Sequence, residues 1–296
     1  MLRFWSPFPG NRRKLRSQKV NEINEKSTRT WRACYPNNVD GRAGLRRSKL
    51  HLRTLIAVLL FLGLMTIAKP SAAACSKASL KGTYGISWGW PQELYAGSSN
   101  EAMVVGQITA DGKGHLSATE TVSYENSIQT VSVTGTYTVA ANCTGTISIA
   151  PDIFNIYLNG TNSGFQMTLT TAGFEALGFG LPQVSETCGL TGKAQNLGLN
   201  LAGTIPAASV NIAIVGELVL NGKGKVTGTV SINGNYSNSV KTITGTYTQA
   251  SDCTGTLQIT PKGSPALNFN TVTVNGGQEL LLIETDSGTV IGGTAQ

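Results

Sequence analysis

The stretch Gln129-Thr130-Val131-Ser132-Val133-Thr134-Gly135-Thr136-Tyr137-Thr138-Val139 decides the fold class. Val131, Val133, Tyr137 and Val139 share one parity, and Thr130, Ser132, Thr134, Thr136 and Thr138 share the other. Period two with a single apolar face specifies a half-buried strand of an antiparallel sheet. Val210–Leu220 repeats the pattern, with Ile212, Ile214, Leu218 and Leu220 set against Asn211 and Glu217. Between such runs lie Asp111-Gly112-Lys113-Gly114 and Asn221-Gly222-Lys223-Gly224, whose glycines supply the positive φ angles that tight hairpins need. Thr, Val, Ile and Tyr dominate throughout, as strands prefer. No stretch reads as a convincing helix.

Working outward, the chain finds itself at a shift of 110 residues. Val105–Thr146 aligns without a gap on Val215–Thr256, with 17 identities in 42 positions. The identities fall in blocks: Val-Gly, Gly-Lys-Gly, Thr-Gly-Thr-Tyr-Thr and Cys-Thr-Gly-Thr. Farther on the shift becomes 115, with Phe154-Asn155 on Phe269-Asn270. One structural unit has been used twice, over 75–187 and 188–296, each copy long enough for its own core. Runs near 80–90, 101–110, 115–124, 128–139, 143–150, 153–159, 164–171 and 174–180 give eight strands in unit one. Runs near 190–202, 209–220, 225–233, 239–249, 253–260, 267–274, 278–285 and 288–294 give eight in unit two. The expected fold is all-β, two tandem antiparallel up-and-down barrels. Closed sandwiches or one composite barrel are the alternatives.

The cysteines follow the duplication. Cys75 and Cys143 lie 68 residues apart in unit one, and Cys188 and Cys253 lie 65 apart in unit two. Four cysteines allow three pairings. The repeat selects Cys75–Cys143 and Cys188–Cys253, which requires an oxidising compartment.

Ahead of the repeat, Leu55–Ala68 is an uncharged apolar run of 14 residues, preceded by Arg46, Arg47, Lys49 and Arg53 and followed by Lys69-Pro70-Ser71-Ala72-Ala73-Ala74. That is short for a membrane span and has the three parts of a secretory signal, so 55–74 is expected to be removed after Ala74. Residues 1–54 read as a basic extension, disordered or belonging to an over-long reading frame. The expected location is export, to the periplasm, outer surface or medium. An uncleaved segment 55–74, or a lipid on Cys75, would tether the protein to a membrane instead. Ala72 stands where a lipoprotein signal usually has Leu, and this weakens the second route.

Charge narrows the partners. Residues 1–54 hold 14 Lys/Arg and 3 Asp/Glu, whereas residues 75–296 hold 8 Lys, no Arg and 13 Asp/Glu. Nucleic acid is therefore not an expected partner of the repeat region, which lacks the cations that neutralise phosphates.

Ala78-Ser79-Leu80-Lys81-Gly82-Thr83-Tyr84-Gly85, the DGKG turn, GTYT and CTGT together resemble a group of exported, largely uncharacterised β-proteins of soil bacteria. The resemblance spans nearly all of 75–296. It implies secretion and an all-β fold, and it implies no catalytic residues.

Candidates for chemistry are few. His115 is the one histidine of 75–296, and its parity points it to solvent. A triad or a zinc site has too little to work with, and no metal or cofactor is expected. Asp111 alone cannot supply the six or more oxygens calcium wants. The sequons at Asn142, Asn159 and Asn235 read as chance in a bacterial export. The informative positions are those where unit one departs from unit two. Tyr84, Ile86, Trp88 and Trp90 form an aromatic stripe where unit two has Leu197, Leu199 and Leu201. Glu120 shares parity with Leu116, Ala118, Val122 and Tyr124, and its aligned partner is Val230. A carboxylate on an apolar face is costly unless paired or protonated.

Tyr84, Trp88, Trp90, Glu120 and Tyr124 are thus the expected ligand-binding residues. The expected function is non-catalytic binding of a small apolar or sugar-like ligand, or a cell-surface glycan. A structural or adhesive surface protein is the alternative. An enzyme of unknown type is a second one, disfavoured because no pair of inward-facing acids with glycosidase spacing is visible.

Overall fold

The computed structural model describes residues 74–89, 102–124, 127–171, 176–183, 188–234 and 237–296. Residues 55–73 of the expected signal and Trp90 lie outside these, as do Asn235 and half of the poorly periodic region 172–187. Unit one consists of β1 (Lys81–Gly89), β2 (Ala102–Asp111), β3 (His115–Tyr124), β4 (Ser127–Val139), β5 (Thr144–Ile149), β6 (Asp152–Leu158), β7 (Phe165–Leu169) and β8 (Leu177–Pro182). Unit two consists of β9 (Gln195–Ile205), β10 (Val210–Leu220), β11 (Lys225–Gly234), β12 (Ser237–Gln249), β13 (Thr254–Pro261), β14 (Leu267–Val274), β15 (Glu279–Glu284) and β16 (Val290–Ala295). Every neighbouring pair is antiparallel. β1 closes on β8 and β9 closes on β16, giving two up-and-down barrels rather than sandwiches or one composite barrel.

Register carries the alternation round each barrel. In barrel one Leu116 faces Gly135, Ala118 faces Val133 and Glu120 faces Val131 across β3 and β4, so the even residues of β3 and the odd residues of β4 point inward together. The core of barrel one is Tyr84, Ile86, Ile108, Leu116, Tyr137, Ile147, Phe154, Ile156, Leu158, Phe165 and their neighbours. The core of barrel two keeps Tyr247 and Phe269 and is otherwise aliphatic, with Leu197 and Leu280 in place of Tyr84 and Phe165.

One end of each barrel is plugged by the segment that precedes its first strand. In barrel one the 3-10 turn Lys77–Leu80 inserts Leu80, and the Tyr137 hydroxyl donates to the Lys77 carbonyl at 3.1 Å. In barrel two Leu190 does the same, with the Tyr247 hydroxyl donating to its carbonyl at 3.3 Å. The repeated Gly-Thr-Tyr-Thr motif thus places a tyrosine whose ring fills the core and whose hydroxyl anchors the plug. This explains why β9 begins at Gln195 rather than near 190. The residues before it turn through Gly189 (φ +84°) and Gly192 (φ +82°) to reach the barrel floor. The disulfides Cys75–Cys143 and Cys188–Cys253 pin each plug to the β4–β5 or β12–β13 turn, with Cα–Cα 5.0 Å in both. Such bonds persist in oxidising compartments. With the Cys75 sulfur bonded to Cys143, no thiol remains there for a lipid. Among the described residues no helix is long and apolar enough to cross a membrane.

The barrels pack on each other within one unit, residues 68–296. Outward-facing Val105 of β2 meets Val272, Val274, Leu281 and Ile283 of β14 and β15, with Met103, Phe179 and Leu181 at the margin. Gly85 on β1 admits this approach. A Cβ there would fall inside contact distance of Val274 Cγ1 and 2.9 Å from Val272 Cγ1. The Asn270 amide donates to the Thr121 hydroxyl at 3.0 Å, and the Ser123 hydroxyl donates to the Thr289 carbonyl at 3.2 Å. β15 reads as continuous Leu-Leu-Leu-Ile because both of its faces are covered, one by its own barrel and one by the other.

Candidate functional site

The end of barrel one away from the plug collects the side chains that distinguish the two units. β1 brings Tyr84, Ile86 and Trp88 inward, as their parity requires, but at different depths. Tyr84 and Trp88 are four residues apart, about 13 Å along a strand. Tyr84 is 1% exposed beside the plug, edge-on to Phe165 at 5.6 Å, with its hydroxyl donating to the Lys81 carbonyl. Burial pushes its phenol up from the usual value. It belongs to the packed core. Trp88 is half-buried nearer the far end and packs edge-on against Phe154, centroids 5.2 Å apart at 67°. Tyr124 is half-buried at the last position of β3.

Glu120 lies on β3, inside the barrel, 7% exposed. Gly106 opposite makes room for it, since a Cβ at Gly106 would stand 2.9 Å from Glu120 Cγ. Burial, and then the nearby carboxylate of Asp152, push the Glu120 carboxyl up to about 7. Burial raises Asp152 as well. Among the described residues no cation contributes to either shift. The two acids therefore share a desolvated site in which protonation is the way to relieve charge.

Asp152 corrects the expectation that no acids pair inside the barrel. It faces Ile149 across β5 and β6 and has the same parity as Phe154, Ile156 and Leu158, all buried. Its signal was that parity, hidden because a strand starting at 153 leaves Asp152 in the turn. The structure so pairs Trp88 with Phe154 and Glu120 with Asp152, leaves Tyr84 in the core and places Tyr124 at the end of β3.

Barrel two has a different buried acid. Glu284, the last residue of β15, is fully buried, with the Thr289 hydroxyl and the Asp286 carboxyl beside its own carboxyl. Burial pushes it up to about 7. Nearby Asp286 pushes the same way, and the Thr289 hydroxyl, which donates to the Asp286 carbonyl, opposes in part. At the shift of 115 its counterpart in barrel one is Leu169. The sequence offered no warning, because a strand covered on both faces shows no alternation against which Glu284 would stand out.

The remaining candidates are structural. His115 is exposed at the start of β3. Asp111 Oδ1 accepts from the backbone N–H groups of Lys113, Gly114 and His115 at 2.6, 2.9 and 3.0 Å, which holds its carboxyl below the usual range. Asn221 Oδ1 accepts from Lys223 and Lys225 in the second turn. Among the described residues no three His, Cys, Asp or Glu side chains cluster as a metal site would need. A groove of about 320 Å³ runs along the outer face of β2–β4, lined by Gln107, Thr109, Thr119, Ser132 and Thr134 among others. No protein-family model matches the chain, and no curated protein matches it.

Proposed function

We propose that the chain is exported by way of its segment 55–74, and that barrel one binds a small ring-shaped molecule with an apolar face and a hydroxyl. The observation that carries this reading is the asymmetry of the two barrels. One repeat has Leu201, Val230 and Leu267 where the other has Trp88, a buried Glu120 and a half-buried Asp152. Trp88 and Phe154 offer aromatic surface to a ring, and a protonated Glu120 offers a hydrogen-bond donor that a carboxylate could not. Pockets of this kind are mostly apolar with a few placed polar groups.

The same acids favour a second reading, glycoside hydrolysis, which needs one protonated and one ionised carboxyl. Both groups here are raised and neither has a cation among the described residues to hold it ionised, so binding is the better fit.

Titration of methyl glucoside, methyl galactoside, methyl mannoside and cyclohexanol, followed by tryptophan emission, tests the proposal. At least one probe should shift the emission with saturation, the shift should vanish in Trp88→Ala, and affinity should weaken above pH 7. No saturable shift up to about 10 mM of any probe, an affinity weaker than about 3 kcal/mol, overturns it. Turnover of 4-nitrophenyl glycosides, lost in both Glu120→Gln and Asp152→Asn, would replace binding by hydrolysis.

A further inference from the structure

The contact between the two barrels joins non-equivalent faces. Barrel one contributes the outer face of β1–β3, with Phe179 and Leu181 of β8 at its margin, and barrel two contributes the outer face of β14–β16. Because the barrels are repeats, each also has the face that the other one uses. The outer face of β9–β11 corresponds to β1–β3, and the outer face of β6–β8 corresponds to β14–β16. Among the described residues the other barrel covers neither, except that Phe179 and Leu181 of β8 lie at the margin of the internal contact. A head-to-tail contact of this type leaves one complementary half at each end.

Both free halves retain the features of the buried ones. Register equates Gly198 with Gly85, because Gly198 faces Glu217 as Gly85 faces Gln107. Gly198 is exposed in mid-strand, and a Cβ there would meet only the Gln296 carbonyl, at 3.3 Å. A glycine inside a strand weakens it and often marks close approach of another surface, yet among the described residues only the Gln296 carbonyl comes near a Cβ at Gly198. Val215, at the position of buried Val105, is 52% exposed. On the other half, Tyr157 stands at the position of Val272 and is 55% exposed. Leu177, which faces Thr168 as Gly292 faces Ile283, is 59% exposed.

The pairs that would meet are complementary. In the internal contact a large residue sits on a small one: a Cβ at Gly292 would lie 2.9 Å from Met103 Cε. The equivalents are Leu177 and Ala213, so the large and small partners have changed sides. Asn270 donates to Thr121 internally, and the equivalents are Asn155 and Ser231, again an amide and a hydroxyl. The Ser231 hydroxyl donates to Asn238 at 2.9 Å and keeps its lone pairs free to accept. Gln166 and Thr168 replace Leu281 and Ile283, which makes this half more polar than the internal one.

We infer that a second copy of this chain is the partner of these surfaces, the β9–β11 face of one copy seating on the β6–β8 face of the next and repeating the internal contact between molecules. A heterologous contact grows into a closed ring or an open filament according to the rotation it imposes. The contact is weaker than the internal one, because fewer apolar side chains meet.

Sedimentation velocity of the full chain over a concentration series, with three variants, tests this. The parent should associate beyond a dimer as concentration rises. Val215→Lys removes one half and Tyr157→Lys the other, both at exposed positions, and each variant alone should stay monomeric. Mixed together they should form a 1:1 dimer and nothing larger, since each retains the half that the other lacks. Gly198→Val should also abolish association while leaving the circular dichroism of the monomer unchanged. A parent that is monomeric at about 1 mM, a Kd beyond which contacts are negligible, overturns the inference. That result would mean the faces are free or are covered by residues 1–73 of the same chain. Association that survives either lysine variant, or that stops at a two-fold dimer in the parent, overturns it equally.

Discussion

Replacing Glu120 by Gln keeps the shape of the side chain and removes its ionisation, so the variant isolates what that ionisation costs the fold. The folded carboxyl titrates near 7 and the unfolded one near its ordinary 4.5. Below 4.5 both states hold the proton and the group contributes no pH dependence. Between 4.5 and 7 the folded chain keeps a proton that the unfolded chain has released, so stability falls as pH rises. Above 7 both states are ionised and the deficit is complete. A shift of that size, at about 1.4 kcal/mol per unit, makes the deficit about 3 kcal/mol. Urea unfolding with the disulfides intact, followed by far-ultraviolet circular dichroism, measures it. Parent and Glu120→Gln should differ little at pH 4, and the variant should be more stable by about 3 kcal/mol at pH 8.5. Glu284 titrates in the same window and contributes a comparable fall to both proteins, so the difference between them belongs to Glu120. An equal gap at pH 4 and pH 8.5 would refute the reasoning, because it would mean that Glu120 does not change ionisation differently in the folded state.

Glu284→Leu, which installs the residue of barrel one at that position, should raise stability at pH 8.5 by about 2–4 kcal/mol, since it removes a fully buried carboxylate; the same urea experiment checks it, with a smaller gain at pH 4. Gly85→Val should destabilise by about 1–3 kcal/mol or more through overpacking between the barrels, whereas Gly198→Val in dilute solution should cost less than about 1 kcal/mol. Thermal melts of the two variants at equal low concentration compare them directly. Cys75→Ser with Cys143→Ser should cost about 3–5 kcal/mol by freeing the unfolded chain, and thiol titration of the parent in denaturant should find no reactive sulfur among the four cysteines of the repeat.

What could be read without coordinates followed from short-range physics. Alternation in Gln129–Val139 identified a half-buried strand, the Asp/Asn-Gly-Lys-Gly turns set the hairpins, and the 110-residue shift paired Cys75 with Cys143 and Cys188 with Cys253. Each depends on neighbours along the chain or on one repeat compared with the other. The candidate site was legible only in part. Trp88 and Glu120 stood out because their repeat partners are Leu201 and Val230. Tyr84 looked equivalent to Trp88 by parity, but depth along a barrel is not written in parity, and only the plug residue Leu80 determines which of the two is sealed in the core. Asp152 needed the register of β5 on β6 to show which way it faces.

Closure of the strands into two barrels was foreseeable from their number and their alternation, because eight half-buried antiparallel strands bury one face most completely by curling on themselves. The packing of one barrel on the other was not. Val105, Val272, Leu281 and Ile283 are apolar on the outside of their own barrels, and a one-dimensional pattern cannot say which second surface covers them. Nor can it say that Glu284, in a run with no alternation, ends inside. Tertiary contact decides both: Val105 meets residues more than 150 positions away on the other barrel, and Glu284 shares its parity with Leu280 and Leu282 inside barrel two.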